Sequence, residues 1–193
     1  IFVADGYGDP IGEKSYETVM LAKGDGLSIK TLKTISGSVS NYYDMENSLG
    51  VFYRLGSLLS GFGMFDEGKT MGLSAYGKPI FYDNVKKFIN FKNNTIHINN
   101  GDLFDELSKD IKNRDKFEVR ANIAATFQKI LEEMALHYVN HLYDITKSKN
   151  LCISGGVGLN CVMNAKLLEK SKVKLSDAFV KKAKAFVPSE KPD

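Results

Sequence analysis

The apolar residues change their period along the chain, and each change marks an element. Residues 1–4 form a continuous apolar run that stops at Asp5-Gly6-Tyr7-Gly8-Asp9, which predicts a buried strand entering a glycine turn with two carboxylates. Residues 16–22 and 27–35 predict the arms of a β-hairpin, the second alternating Leu27, Ile29 and Thr31 with polar neighbours. Lys23-Gly24-Asp25-Gly26 between them has the chemistry of a loop that tolerates positive φ. From Asn47 the period lengthens. Leu49, Phe52, Tyr53, Leu55, Leu58 and Leu59 recur at three and four residues, predicting a helix with one apolar face that ends at Gly61-Phe62-Gly63. Residues 66–79 read as a short helix broken by Gly77 and Pro79, charged at its start and small at its end, so that it can lie close to another surface. A second hairpin turning at Asn93-Asn94 and a helix over 102–111 are expected to be peripheral.

The longest periodic stretch follows. Ile123, Phe127, Ile130, Leu131, Met134, Tyr138, Leu142 and Ile145 mark one stripe of a helix over 119–147, which feeds a strand over 151–154. Paired glycines, Gly155 and Gly156, come next, and then apolar residues at helical spacing over 157–170. Strand, glycine turn and helix start together suit a phosphate or the ribose edge of a nucleotide: glycine lets a ligand approach the backbone, and the first helical amides lack intrahelical partners. A final short strand is expected at Phe186-Val187-Pro188. His137 and His141 share a helix face, but no His-Glu-x-x-His pattern supplies further zinc ligands, so they read as solvated or edge-of-core residues, as does His97.

Composition changes this picture little. With 193 residues, 43% hydrophobic and 25% charged, the chain is long enough to bury a substantial core, and no apolar run reaches the length of a membrane span. The net charge of +3 is small and much of the excess lies in the lysine-rich end over 166–191, so it argues little for nucleic acid, which is not expected as a partner. Cys152 and Cys161 match no metal or redox spacing, and a reduced, cytoplasmic protein is expected. The chain opens at Ile1 inside an apolar run, without an initiator methionine, and is expected to be part of a longer protein.

Several words of the sequence are specific. Ser48-Leu-Gly-Val-Phe-Tyr53, Gly61-Phe62, the block from Asp66 through Glu67-Gly-Lys69 to Gly77-Lys-Pro79, and Gly155-Gly-Val-Gly-Leu-Asn-Cys-Val-Met-Asn164 resemble, in order and spacing, the O-carbamoyltransferases of the nodulation protein U type. The resemblance runs from Ile1 to about Leu168. It implies an α/β fold, the second lobe of an actin-like (sugar kinase, heat-shock chaperone, actin) ATPase domain with a mixed sheet and helices on its faces. Residues 1–193 would be part of that domain, with a YrdC-like domain outside them. In such enzymes carbamoyl phosphate and ATP give carbamoyl-adenylate, whose carbamoyl group passes to a hydroxyl of a sugar or natural product with the help of a metal ion, iron. The upstream His-x-x-x-His ligands of the family would precede Ile1.

The resemblance also implies residue roles. The catalytic positions are Asp5, which would orient a metal or a water, with Gly6 and Gly8, whose amides would face a phosphate or carbamoyl oxygen. Glu67 would accept from ribose hydroxyls, and Lys69 would approach the adenylate as a point charge. Gly155, Gly156, Val157, Asn160 and Asn164 would hold the nucleotide. Asp193 is the candidate metal ligand, the possible start of a Gly-Asp-x-Gly segment that the family places soon after this helix. Bland readings stand beside these: Lys69 pairing with Glu67 or Asp66 on the surface, Asn160 or Asn164 capping the loop, Asp5 anchoring its own turn. Gly158 departs from the family, where alanine is common. A small-molecule kinase of the same superfamily and a non-catalytic nucleotide-binding module are the alternative functions.

Overall fold

The computed structural model describes residues 1–39 and 44–173. Its central sheet is mixed. Strand β1 (Phe2–Ala4) pairs in parallel with β7 (Ile153–Ser154) on one side and antiparallel with β3 (Ser15–Asp25) on the other. The same edge of β3 also takes β2 (Pro10–Gly12), while its opposite edge carries β4 (Ser28–Ser38) along its whole length. The hairpin turns later than its composition suggested, at Gly26-Leu27, because the left-handed φ of +57° falls at Gly26; Lys23, Gly24 and Asp25 stay in the strand.

Helix α1 (Leu49–Leu59) forms where the sequence places it, buries Leu49, Phe52, Leu55 and Leu59, and packs Phe52 on Phe127 with ring centroids 4.8 Å apart. Each such apolar side chain contributes about 1.5–3 kcal/mol by leaving water. The partner of α1 is the long helix α5 (Phe117–Thr146), whose predicted stripe is buried except at Ile145, 50% exposed in the last turn. Helix α2 (Glu67–Ser74) lies against α5, and the small residues that follow it allow a close approach: a Cβ on Gly77, just past its end, would run into the backbone carbonyl of Ala121.

The expectation that residues 88–111 are peripheral is only half right. After the short helix α3 (Tyr82–Lys86), β5 (Ile89–Lys92) and β6 (Thr95–Ile98) make a separate two-stranded sheet, turning at Asn93 and Asn94 with φ of 50° and 56°. Yet Ile96, with Leu103 and Leu107 of α4 (Asn100–Asp110), is fully buried, and the Ile96 amide donates to the Tyr138 hydroxyl at 3.1 Å. The Asn93-Asn94 turn had marked this hairpin, but not its packing on α5.

Against that hairpin His137 meets Phe91 edge-on, with ring centroids 5.0 Å apart. Burial holds its imidazole below the ordinary value of 6.5, and His141, Lys33 and Lys86 push the same way. The unfolded chain therefore binds the proton more readily. The stabilising contribution is complete above pH ~6.5 and is lost as the pH falls toward the depressed folded value. Urea titrations between pH 7.5 and 5 are expected to show stability falling with acidity, less steeply in His137→Phe; His141, also lowered by burial, leaves a residual slope. Equal slopes in both proteins would contradict this.

Candidate functional site

The site is built on the turn that leaves β1. Asp5 does more than close its own turn: Oδ1 accepts from the Gly6 amide at 2.7 Å, and Oδ2 accepts from the Gly156 amide at 2.9 Å. One carboxylate thus ties the first glycine turn to the last across 151 residues of sequence. Two further contacts fix the arrangement. Ser48 caps α1 by accepting from the Val51 amide at 3.1 Å while its hydroxyl donates to the Gly6 carbonyl at 2.8 Å. Gly50 lies so close to the Asp5-Gly6 peptide that a Cβ there would overlap it, and a Cβ on Gly155, at φ +87°, would meet the Ala4 carbonyl.

The segment after the glycines differs from the helix expected over 157–170. Gly156–Leu159 is a single 3-10 turn, and α6 (Cys161–Lys170) starts only after it. Asn160 is the reason. Its extended backbone interrupts the helix, and its Oδ1 accepts from the Met163 amide at 2.8 Å, filling the helix start that sequence reasoning had left open for a ligand. Asn164 braces the turn, donating from Nδ2 to the Gly158 carbonyl at 2.8 Å.

Asn160 also belongs to a buried polar network. Its Nδ2 donates to Gln128 Oε1 at 2.8 Å, and Gln128 Nε2 donates back to Asn160 Oδ1 at 3.1 Å and to Glu132 Oε1 at 2.9 Å. The Tyr53 hydroxyl donates to the same Gln128 oxygen at 2.7 Å. Burial holds the Tyr53 phenol well above its ordinary value, so it stays a donor, and burial raises the Glu132 carboxyl.

These elements enclose a cavity of about 450 Å³, lined by Asp5, Gly6, Gly50, Tyr53, Arg54, Phe65, Glu67, Gly68, Met71, Leu131, Gly156, Val157, Leu159 and Asn160. Three sequence-distant motifs therefore converge on one concavity. Of the residues singled out from the sequence, Asp5, Gly6, Glu67, Gly156, Val157 and Asn160 line it. Gly155 supports it from behind, against Ala4, and Asn164 supports it through Gly158. Gly8 and Lys69 are not lining residues. The Gly8 amide donates to the Glu17 carbonyl at 2.8 Å, and the Gly6 amide is held by Asp5, so neither takes the expected place facing an anion. Lys69, 64% exposed along its side chain, pairs with Asp66 at 2.8 Å.

Tyr53, Arg54 and Gln128 complete the site and were not singled out for chemistry. Gln128 carried a usable signal, a polar side chain beside Phe127 in the long helix whose apolar stripe fills the core. Arg54 gave none, since one arginine on an amphipathic helix usually faces water. The expected metal ligand Asp193 and the expected strand at 186–188 lie outside the described residues. Among the described residues no group of three His, Cys, Asp or Glu is placed to hold a metal ion, and both Asp5 oxygens are engaged by amides; these residues alone do not fit the metal that the resemblance implies. No helix among them is long and apolar enough to cross a membrane.

Comparison with known proteins adds an independent line. Residues 7–185 match the family model described as carbamoyltransferase N-terminus. The chain is 32% identical over 176 residues to nodulation protein NolNO of Sinorhizobium fredii, covering 87% of this chain and 24% of that protein. It is 30% identical over 176 residues to nodulation protein NolO of Bradyrhizobium diazoefficiens, covering 87% and 29%, and 30% identical over 185 residues to an uncharacterized protein of Methanocaldococcus jannaschii, covering 89% and 29%. The chain thus spans between about a quarter and under a third of the length of these relatives.

Proposed function

The chain belongs to the carbamoyltransferase N-terminus family, and from that premise we propose that it supplies the nucleotide-holding wall of an ATP-dependent O-carbamoyltransferase. Carbamoyl phosphate, ATP and water would yield carbamoyl-adenylate with release of phosphate and pyrophosphate, and the carbamoyl carbon would pass from the adenylate to a hydroxyl of a sugar or natural product, releasing AMP. The domain would be the second lobe of an actin-like fold. The observation that carries this reading is the convergence of Asp5-Gly6, Glu67-Gly68 and Gly156-Asn160 on one cavity.

Each lining group has work in such a complex. Glu67 accepts from the ribose hydroxyls. Val157 and Leu159 offer apolar surface to the base, and Tyr53, Gln128 and Asn160 hold the turn beneath it rigid before the ligand arrives. Lys69 reaches the adenylate only by leaving Asp66, which costs little, because exposed ion pairs are worth about 0–1 kcal/mol. Asp5 acts through the backbone, keeping the Gly156 turn in place, and the metal ion that the family resemblance implies would take its ligands from outside the described residues.

Incubating the full-length protein with carbamoyl phosphate, ATP and a panel of sugar alcohols tests the reading. AMP, pyrophosphate and phosphate should appear in equal amounts with the carbamoylated product. Formation of ADP and a phosphorylated acceptor, independent of carbamoyl phosphate, would instead identify a kinase.

A further inference from the structure

Among the described residues that line the cavity, Arg54 is the only cationic side chain. We propose that it is the anion-binding residue there, the group that receives the phosphoryl oxygens of the bound nucleotide; this rests on the nucleotide reading above. Its guanidinium is fixed in place from several directions. Nε donates to Glu67 Oε1 at 3.2 Å, which sets the plane of the group, and the side chain is only 12% exposed. The Phe65 ring lies 5.6 Å from Cζ. On another side is the Asp5-Gly6 turn: a Cβ added to Gly6 would stand 3.5 Å from Nη2. The carrier helix α1 is itself pinned to that turn through Ser48.

Phe65 is the observation that separates a binding role from a structural one. Its φ of +64° is a left-handed conformation that a bulky side chain disfavours. Burial does not repay it, for the residue is 77% exposed at the mouth of the cavity. A strained, exposed aromatic within cation–π range of a guanidinium does little for the folded state and more for the orientation of the guanidinium. Arginine presents a permanently charged planar fork that matches two phosphate oxygens at once, and the first residues of α2, Glu67 and Gly68, bring the positive end of a helix to the same wall.

The test compares AMP with adenosine by calorimetry on the full-length protein. The wild type is expected to bind AMP more tightly. Arg54→Gln should lower AMP affinity roughly 10- to 150-fold, as loss of a charge-assisted contact does, and lower adenosine affinity by a much smaller factor, that of the weakened hold on Glu67. Arg54→Lys keeps a cation for Glu67 and should lose roughly tenfold in AMP affinity, covering the case in which the glutamine variant folds poorly. Phe65→Gly should melt at a higher temperature than the wild type while binding AMP more weakly, a combination that a purely structural residue does not produce. An equal fall in AMP and adenosine affinity, or an AMP preference that survives in Arg54→Gln, overturns the assignment and leaves the nucleotide reading intact. A wild type that binds neither compound removes both.

Discussion

Gly155→Ala is expected to be strongly damaging, lowering unfolding free energy by about 3 kcal/mol or more, the sum of positive-φ backbone strain and a forced shift in a packed site. The residue has φ +87°, and the new methyl would be driven into the Ala4 carbonyl. That carbonyl belongs to β1, which pairs with β7 immediately before the glycine, so relief by movement would tear the parallel pair Phe2 to Ile153 and Val3 to Ser154. Chemical unfolding followed by circular dichroism measures the effect. The neighbouring Gly158→Ala is the control. Its Cβ would come within 3.1 Å of Ile153 Cγ2, a side-chain methyl that has to give by only a few tenths of an ångström, and its φ is not left-handed, so a change within about 1 kcal/mol is expected. Similar losses at both positions would show that crowding in the turn, not the backbone conformation of Gly155, sets the cost.

The second large effect is expected at the buried amide pair. Asn160→Ala removes the cap on α6, worth about 1 kcal/mol, and leaves both ends of the Gln128 amide short of a partner, at a further 1–3 kcal/mol. Gln128→Ala strands the Tyr53 hydroxyl and the Asn160 amide in the same way. Because the groups share their bonds, the double variant should cost less than the sum of the single ones, with a coupling of about 1–3 kcal/mol. Nucleotide affinity should fall in each single variant, since Asn160 lines the cavity. Strict additivity would mean that the two amides act independently.

How much of this was legible in the chain depends on the range of the interaction. Element positions follow from local period and punctuation, so α1, α5 and the Asn93-Asn94 turn stand where the pattern places them. The start of α6 was misplaced because Val157 to Leu168 keep helical spacing through a 3-10 turn, and only the cap made by Asn160 shows where the α-helix begins. Glycine motifs located the cavity, because positive φ and close backbone approach demand glycine at Gly155 and Gly50. The polar partners were hidden. Gln128 lies 32 residues from Asn160, and Arg54 comes to Glu67 only because α1 and α2 fold back on each other; neither pairing leaves a periodic trace. Lys69 looked more promising than Arg54 because it sits inside a recognisable word, yet the side of α2 it occupies turns it toward Asp66.

The central claim is that three distant segments form one nucleotide site, and hydrogen–deuterium exchange of the full-length protein with and without AMP tests it most directly. The account predicts slower exchange on AMP binding in peptides covering Gly6, Glu67-Gly68 and Gly156-Asn160 together, with the exposed β3–β4 turn at Gly26-Leu27 unchanged. Saturating AMP that leaves those three segments as they were, or protects only one of them, would contradict it.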